Sequence, residues 1–545
     1  MNQKLLKNAI SLVQQSKWSK ALPIYEILIK NDPENIELLN QVSIVYSQVG
    51  DYPKAYECME KILDRKTGDS DFISNFSVIC LRLNLIDKAQ YLINFAIKIE
   101  PTNISYILNL AGIYNIKEEY LKSLETIKLA LKVNPLHGGA YGLFGITLIK
   151  MGENSAARDA LEIALKIDPL FLEAKFNLAS LEVKEGNIGK AIELYENLIR
   201  IRPDEINSLS LEAIKFNLSS LYLWIGKLKL GWNYAEFGFH PQVPPEYRRK
   251  PGRNFKAKRW NGLIEKDKTI LVWREQGVGD EIMFLSCLPD LIDTGMQVII
   301  ETDERLIPLL KRSFPDCLFR AQNFDMNSHD KKPHNEDYDY QIPVGSLPSI
   351  FRKTIDSFKD KEPYIFTNDI LNSKYQQKLK NINFNTLKIG ICWRSGYLNP
   401  ERSVGYTKLS DWGPIFNIKN VEFINLQYSE CELELVEAES LFDIKVIRWQ
   451  ELDLKNDFDS TSALIANLDL VVTVATAVSP LAASIGVPVF LMGVPDWANL
   501  GTNYCPWFNN ITCFFPKTKG EVCSCIPEVA ESIEQMKLKN KVTTL

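Results

Sequence analysis

The sequence has few of the features that would place it at a membrane, on nucleic acid or around a metal ion. Among 545 residues there are 4 histidines and no dense block of lysine or arginine, and the formal net charge is -5. Nucleic acid is therefore not expected as a ligand, because phosphate backbones bind to concentrated positive charge. No apolar run is long enough to span a bilayer, and the first residues lack the apolar core and cleavage site of a signal peptide. We expect a cytoplasmic protein with no integral membrane segment.

Potential metal ligands are also poorly spaced. The 10 cysteines include no Cys-x-x-Cys pair, and their densest cluster has no histidine nearby: Cys505, Cys513, Cys523 and Cys525. Three Asp-x-Asp patterns occur, but the one that begins at Asp457 directly precedes a predicted helix, where an aspartate caps free backbone N–H groups. We therefore expect no metal ion and no bound cofactor.

What the first half of the chain does contain is a period of 34 residues. One register of this period holds prolines at Pro33, Pro101, Pro135, Pro169 and Pro203. A second register holds small residues at Ala21, Ala55, Ala89, Ser123, Ala157 and Ala191. A third has Gly50, Gly152 and Gly186 between paired helices, with Asn84 and Glu118 at two of its positions. Prolines end helices and small residues let helices pack closely, so the pattern predicts stacked helical hairpins.

These registers resemble those of tetratricopeptide repeats, and the resemblance covers residues 1–238. The spacing lengthens from 34 to 40 residues between Asn177 and Asn217, which indicates an insertion before a seventh hairpin. That hairpin is rich in aromatic residues, and we expect them to pack against the next domain of the chain. Solenoids of this type expose a concave surface that binds a peptide or a protein. The alternative is a rigid spacer with no partner.

The second half of the chain has a different pattern. Residues 239–267 form a linker rich in proline and basic residues, whose charges we expect to face solvent. Beyond it, β-branched and apolar runs alternate with segments of helix length, which is typical of parallel sheets. They divide into a first lobe (268–365), a connection (366–386) and a second lobe (387–535), whose terminal helix we expect to pack back on the first. The predicted fold is an α-helical solenoid followed by two Rossmann-like α/β lobes, which bind ligands at the carboxyl ends of their strands.

The most informative segment is TILVWREQGVGDEIM, in which a strand runs into a glycine turn and a helix. Gly277 and Gly279 allow a tight turn whose backbone N–H groups can meet a nucleotide or sugar. Many nucleotide-binding folds share such a turn, so it names no reaction by itself. Asp280 is a candidate catalytic base at the start of the helix. The alternative is that Asp280 only caps the helix, and the two roles are compatible.

Two segments of the second lobe supply candidates for binding the phosphate groups of a nucleotide. Arg394 and Arg402 lie in GICWRSGYLNPERS, and an arginine can hold a phosphate through two donors. The alternative for either arginine is an interlobe salt bridge. Thr476 and Ser479 precede a helix predicted to begin at Pro480, and the free N–H groups of its first turn can cradle a phosphate.

Two further residues are candidates for contact with the nucleotide. Gln427 ends the strand segment VEFINLQ and is a candidate to contact the base or ribose. Its alternative role is a hydrogen bond within the loop. Trp497 lies in PDWANLGTNYCPWF and is a candidate to flank the nucleotide, or else it packs in the interior.

The string Trp273-Arg-Glu-Gln-Gly-Val-Gly-Asp280 resembles the first-lobe signature of the heptosyltransferase-like glycosyltransferases, which have the two-lobed GT-B fold. The similarity runs through residues 268–535, and the layout is similar to a bacterial subgroup with fused tetratricopeptide repeats and to O-GlcNAc transferases. In the family the aspartate of this turn is the proposed general base, a role that the resemblance assigns to Asp280. Ala475 and Pro480 stand where the family has an acidic residue and a histidine, which implies a different donor or reduced activity.

The resemblance implies a metal-independent, inverting glycosyltransferase that uses a nucleotide-sugar donor. Its acceptor would be a Ser or Thr hydroxyl of a protein held in the groove of the repeats, and some relatives with this layout modify flagellin. Two alternatives stay open: an adaptor whose lobes have lost catalysis, and a transferase acting on a lipid or polysaccharide. The sugar, the nucleotide and the oligomeric state are not readable from the sequence.

Overall fold

The computed structural model describes residues 2–200, 210–240, 243, 248–322, 337–359, 362–382, 386–396, 403–518 and 520–543. Contacts divide the chain into two units, Met1–Arg200 and Ile201–Leu545. Each unit has hydrophobic clusters of its own.

The described part of the first unit consists of helices joined by short turns. The helices are α1 (Asn2–Gln14), α2 (Trp18–Asn31), α3 (Ile36–Val49), α4 (Tyr52–Ile62), α5 (Ser70–Arg82), α6 (Ile86–Ile99), α7 (Ile104–Ile116), α8 (Tyr120–Val133), α9 (Gly138–Met151), α10 (Asn154–Ile167), α11 (Leu172–Glu185) and α12 (Ile188–Arg200). Each odd-numbered helix packs on the even-numbered helix that comes next in the chain, as the 34-residue period predicts.

The sequence registers have clear structural roles in this unit. Every residue of the small-residue register is 0% exposed, which lets the helices pack closely. At the turns between helices, Gly50, Gly152 and Gly186 have left-handed backbones with φ of 88°, 85° and 86°. Asn84 and Glu118 adopt the same conformation with φ of 60°. That conformation costs a residue with a side chain about 1–2 kcal/mol, so packing imposes the turn even where glycine is missing.

The second unit begins with a seventh hairpin, α13 (Leu211–Trp224) and α14 (Leu228–Ala235). Leu223, Leu228 and Trp232 belong to the same hydrophobic core as residues of the two sheets that come after the hairpin. Trp232 Nε1 donates a hydrogen bond to the backbone carbonyl of Arg352 over 2.8 Å. The prediction that aromatic residues of this hairpin pack against the next domain of the chain is confirmed. Contacts divide the chain before this hairpin rather than after it.

The first lobe contains a five-stranded parallel sheet in the order β1-β5-β2-β3-β4. Its strands are β1 (Lys258–Arg259), β2 (Thr269–Trp273), β3 (Gln297–Thr302), β4 (Leu318–Ala321) and β5 (Tyr340–Pro343). Its helices are α15 (Val278–Leu285), α16 (Leu288–Ile292), α17 (Ile307–Ser313) and α18 (Leu347–Phe351). Strand β1 lies inside the predicted linker, which therefore contributes an edge strand to the sheet.

The expectation that the charges of the linker face solvent is wrong for two of its arginines. Arg249 is 5% exposed, and its Nε donates to Glu275 Oε2 over 2.7 Å. Arg253 Nη1 lies 2.5 Å from Glu301 Oε1, with both side chains buried. The acidic partners lie 26 and 48 residues away along the chain. The linker sequence alone therefore gives no sign that its charges are paired.

The second lobe contains a six-stranded parallel sheet in the order β11-β10-β9-β6-β7-β8. Its strands are β6 (Leu387–Cys392), β7 (Val421–Asn425), β8 (Val446–Ile447), β9 (Leu470–Val474), β10 (Val489–Met492) and β11 (Ile511–Phe514). The helices from the connection onward are α19 (Asp369–Lys380), α20 (Gly413–Phe416), α21 (Glu432–Phe442), α22 (Phe458–Ile465), α23 (Val478–Ile485) and α24 (Ile526–Thr543). Helix α19, from the predicted connection, packs on α22.

The terminal helix α24 packs on the second lobe. Val529 and Ile533 are 0% exposed and join the hydrophobic cluster that contains Ile389 of β6. The expectation that this helix packs back on the first lobe is wrong, because its apolar side chains complete the core of its own lobe. Among the described helices, none has the length and apolar character needed to cross a bilayer.

Candidate functional site

The glycine turn of the first lobe meets the loop that precedes α23 in the second lobe. Each segment comes directly after the carboxyl end of an inner strand, β2 in one sheet and β9 in the other. A Cβ atom added to Gly279 would lie 3.3 Å from Ala477 Cα and 3.6 Å from Ala477 N. A residue without a side chain permits this approach of two backbones. Two segments singled out in the sequence therefore form one site at the strand ends, where α/β lobes bind ligands.

Asp280 lies in the first turn of α15 and is half-buried at the edge of this site. A Cβ atom on Gly277 would lie 3.4 Å from Asp280 Oδ2, so the carboxylate folds back over the turn. Gly277 itself is exposed and has an ordinary φ of -79°. A carboxylate in the first turn interacts favourably with the helix N-terminus. The position suits both roles considered for Asp280, the helix cap and the base.

Glu281 is the buried neighbour of Asp280 and was not singled out in the sequence. Its side chain is 1% exposed and accepts a hydrogen bond from Thr302 at the end of β3. Arg274 Nε lies 2.8 Å from Glu281 Oε2, an ion pair whose angle falls short of a hydrogen bond. Burial raises the pKa of Glu281 to about 7, although Arg274 and Thr302 favour the ionised form. The Asp-Glu dipeptide in the sequence gives no sign of which carboxylate turns inward.

A row of alternating charges continues from Arg274 to the second lobe. Arg274 Nη2 lies 3.0 Å from Asp303 Oδ2. Arg305 donates from Nε to Asp303 Oδ1 over 2.8 Å and from Nη1 to the carbonyl of Lys455 over 2.8 Å. Lys455 belongs to the second lobe, so this row links the two sheets beside the glycine turn.

Glu275 lies between the end of β2 and the glycine turn and holds this part of the turn in place. It was not singled out in the sequence. It is 0% exposed and accepts hydrogen bonds from Arg249 and from the backbone N–H of Gly345, the latter over 3.1 Å. The next residue, Gln276, has a left-handed backbone with φ of 61°. The buried pair with Arg249 therefore anchors a turn that departs from ordinary backbone geometry.

Arg394 is held within its own lobe by Glu434. Its Nε donates to Glu434 Oε1 over 2.9 Å, and its Nη1 donates to Ser429 Oγ over 2.8 Å. Although burial alone would raise the pKa of Glu434, hydrogen bonds from Arg394 and Trp393 lower it. The guanidinium lies at the carboxyl end of β6 as predicted, but it faces a carboxylate rather than open space. A phosphate at Arg394 would compete with Glu434 for the guanidinium donors.

Gln427 lies inside the loop after β7 and is 2% exposed. Its Oε1 accepts hydrogen bonds from the backbone N–H groups of Trp393 and Arg394 over 3.3 and 3.2 Å. Its Nε2 donates to Ser429 Oγ over 3.0 Å. The side chain thus has the loop role considered as the alternative, and in this structure it has no surface open to a nucleotide.

Thr476 and Ser479 lie where β9 runs into α23, opposite Gly279. The helix begins at Val478, two residues before the predicted start at Pro480. Thr476 Oγ1 accepts from the backbone N–H of Val478 over 3.3 Å, and the Thr476 carbonyl accepts from the N–H of Ser479 over 3.3 Å. Ser479 is buried at 4% exposure inside the first turn. The correction brings the first turn of the helix closer to the glycine turn. The prediction that this turn has free N–H groups is wrong for Val478 and Ser479, which donate to Thr476, and Pro480 has no N–H.

Trp497 stacks on Phe284 of α15, with ring centroids 6.1 Å apart and planes inclined by 26°. Its ring is therefore in contact with the first lobe, as in the packing alternative. Arg402, the second predicted phosphate ligand, lies outside the described residues.

The described residues contain no group of three or more His, Cys, Asp and Glu side chains that could hold a metal ion. Asp457 caps α22 by accepting from the backbone N–H of Ser460 over 2.9 Å, as predicted. Asp459 binds Arg312 through both carboxylate oxygens, at 2.9 and 3.0 Å.

Comparison with known proteins identifies the repeats and one relative that spans nearly the whole chain. The tetratricopeptide repeat family model matches residues 143–206. Protein FlbA of Caulobacter vibrioides is 25% identical over 549 aligned residues, which cover 97% of this chain and 91% of that protein. The TPR repeat-containing protein YpiA of Bacillus subtilis is 22% identical over 212 residues, covering 38% of this chain and 48% of that protein.

Among solved structures, a tetratricopeptide repeat protein from Parabacteroides merdae is similar to this chain at 14% identity. The match covers 44% of this chain and 90% of that one, with a TM-score of 0.36. The family model and the FlbA alignment support tetratricopeptide repeats in the N-terminal helical region and a relationship to FlbA along nearly the full length. The region after the repeats is α/β with parallel sheets.

Proposed function

We propose that this protein is a glycosyltransferase of the GT-B type that moves a sugar from a nucleotide-sugar donor to a Ser or Thr hydroxyl of a protein. The observation that carries the proposal is the contact between Gly279 and Ala477. It joins two strand-end turns from two parallel sheets and leaves the carboxylate of Asp280 at their edge. This is the arrangement that the sequence resemblance implies for the donor and the base.

Asp280 would act as the general base. It would take the proton of the acceptor hydroxyl while that oxygen attacks the anomeric carbon of the donor. The bond between the anomeric carbon and the donor phosphate breaks in the same step, and the nucleotide leaves with the negative charge. A single displacement of this kind inverts the anomeric configuration. No metal ion takes part in this proposal.

The departing phosphate would be stabilised from the second lobe. The first turn of α23 follows the loop that meets the glycine turn, and the positive end of a helix dipole favours a phosphate. The phosphate would replace Thr476 as the acceptor of the N–H groups of Val478 and Ser479. Arg394 would join them by exchanging Glu434 for a phosphate oxygen. The carboxylate of Glu434 already occupies the position of an anionic ligand, 2.9 Å from Arg394 Nε.

The acceptor protein would bind the tetratricopeptide unit, because solenoids of this kind bind peptides and proteins. Flagellin is a candidate acceptor by the sequence resemblance alone. The similarity to FlbA covers the repeats and the lobes alike, so the two regions also occur together in that protein.

A donor-turnover assay tests the proposal. The wild-type chain should release nucleotide from its nucleotide sugar, and Asp280→Asn should slow the release by at least about 100-fold, the lower range of the contribution of a general base. Asp293→Asn removes an exposed carboxylate of the same lobe and is the matched control. Equal turnover by Asp280→Asn and the wild type would exclude Asp280 as the base.

A protein adaptor with inactive lobes is a second candidate. It is favoured by the internal pairing of Arg394 with Glu434 and by Ala475 and Pro480 at the family's acidic and histidine positions. An adaptor would capture its partner protein through the repeats with no dependence on nucleotide. Partner capture that persists while no nucleotide sugar is turned over would favour this role.

A further inference from the structure

A cavity of about 370 Å³ lies away from the glycine turn and carries none of the predicted site residues. It is lined by the C-terminal ends of α15 and α17, the connecting segment 362–366, the second half of α23, and residues 507–510 before β11. In parallel α/β lobes the helix C-terminal ends face the amino ends of the strands. The cavity is therefore on the side of the sheets opposite the proposed donor site.

The walls of this cavity are aromatic. Its ring-bearing residues are Phe314, Tyr364, Phe366, Trp507 and Phe508. Tyr364 is fixed between neighbours, with its ring centroid 6.2 Å from that of Phe314 and 6.5 Å from that of Phe508. Phe366 is 58% exposed and forms the outer wall. Because Tyr364 is stacked between its two neighbours, the ring most open to an organic cation is that of Phe366.

The charge of the lining agrees with a cationic ligand. Glu362 is exposed at the cavity rim, and none of the described lining residues is a lysine, arginine or histidine. The nearby Arg312 donates to the carbonyl of Phe366 over 3.0 Å, but both oxygens of Asp459 neutralise it. A phosphate or carboxylate ligand would meet only negative charge here.

One polar group of the wall has no partner. Ser286 is 6% exposed and lines the cavity, and its hydroxyl oxygen makes no hydrogen bond within the described structure. A buried hydroxyl without a partner is destabilising, and a ligand with an N–H donor would supply the missing hydrogen bond. The cavity thus combines aromatic walls, a rim carboxylate and an unused hydrogen-bond acceptor.

We propose that this cavity is a second ligand site, which binds a protonated organic amine that carries an apolar ring. The ring would pack against the aromatic walls, and the ammonium group would lie between Glu362 and Ser286. Because residues of both lobes line the cavity, the ligand would contact both. The proposal does not depend on glycosyl transfer.

Isothermal titration calorimetry on the full chain tests this site with four probes that share one ring. Benzylammonium should bind with one-to-one stoichiometry, and benzyl alcohol about tenfold more weakly, because the alcohol lacks the charge. Phenylacetate should not bind. Benzyltrimethylammonium keeps the charge but has no N–H donor. It should bind more weakly than benzylammonium, because it cannot donate a hydrogen bond to Ser286.

Substitutions of residues that line the cavity test whether the amine binds there. Glu362→Gln and Phe366→Ala should each weaken benzylammonium binding about three- to tenfold, and both residues are exposed enough to change without unfolding the chain. Glu528→Gln, at an exposed glutamate on α24, is the control and should leave binding unchanged. Equal affinity for benzylammonium and benzyl alcohol would overturn the cation preference. No binding at millimolar concentration, or binding unaffected by both cavity variants, would overturn the site.

Discussion

At the scale of single residues, the proposed donor phosphate would compete with Glu434 for Arg394. The side chains of Arg394 and Glu434 are 12% and 38% exposed, so the pair is partly screened by solvent and its stabilisation is about 1 kcal/mol. Glu434→Gln should lower the free energy of unfolding by about that amount and should tighten nucleotide binding, because Arg394 is released. Arg394→Ala should lower both stability and nucleotide affinity. If Glu434→Gln and Arg394→Ala both bind the nucleotide more weakly than the wild type, a phosphate does not take the place of Glu434 on Arg394.

Glu281 should give the folded chain a distinctive pH dependence. Its pKa is raised from 4.5 to about 7, so the folded state keeps a proton that the unfolded chain releases. Stability therefore falls as pH rises from about 4.5 to about 7 and is level above, with a total effect of roughly 3 kcal/mol. Urea unfolding at pH 5 and pH 8 should show most of this loss in the wild type and none of it in Glu281→Gln. An equal loss in the variant would assign the pH dependence to other groups.

The sequence predicted where several candidate residues lie in the fold, but it could not predict the residues that they pair with. Gly277, Gly279 and Asp280 lie on the turn that the strand–glycine–helix pattern indicates. Arg394 also lies at a strand end, but its pairing with Glu434 depends on a residue 40 positions away. Glu275 gains its role from Arg249 of the linker, a contact that no local spacing reveals.

At the scale of elements, the two glycines of the turn provide a matched pair. A Cβ atom at position 279 would press on the backbone of Ala477 at 3.3 Å, whereas one at position 277 would meet only Asp280 Oδ2 at 3.4 Å. Gly279→Ala should therefore lower the melting temperature, because overpacking costs about 1–3 kcal/mol. Gly277→Ala should stay close to the wild type. Equal melting temperatures for the two variants would show that the backbone at Ala477 can move to accommodate the added Cβ atom without loss of stability.

Long apolar strands were readable from the sequence, and short edge strands were not. The runs that begin at Thr269 and Leu387 are found as β2 and β6, because buried parallel strands need continuous apolar residues. Strands β1 and β4 lie at the edges of their sheet and have 2 and 4 residues. A segment of that length carries little periodicity, so its pairing is decided by the neighbouring strand.

At the scale of the whole molecule, the seventh hairpin is structurally part of the second unit. Trp232 is 3% exposed and packs edge to face on Trp507, with ring centroids 6.2 Å apart. Trp232→Ala should destabilise the second unit by about 3–5 kcal/mol, the cost of emptying such a site. Trp224→Ala, at a half-buried tryptophan of the same hairpin, should cost less. Chemical unfolding followed by circular dichroism measures the free energy of unfolding of both variants. If both lose the same small amount, the packing of the hairpin does not stabilise the lobes.

The 34-residue period predicted the helical hairpins because each repeat makes the same local contacts. It did not predict where the repeats end as a unit, because the hairpin of Leu211–Ala235 keeps the repeat pattern while its apolar side chains pack on the lobes. A repeat pattern predicts which helices pair. The boundary of a unit depends instead on the hydrophobic core in which the apolar side chains are buried.

The central claim is that the strand ends of the two sheets bind a nucleotide-sugar donor. It is tested most directly by the melting temperature of the full chain with CMP, UDP, GDP, ADP and dTDP, for the wild type and for Arg394→Ala. One nucleotide should raise the melting temperature of the wild type, with stabilisation of about 2.7 kcal/mol at a concentration of about 100 times its Kd. The same nucleotide should stabilise Arg394→Ala less. No shift with any of the five nucleotides at millimolar concentration would contradict the account and favour the adaptor.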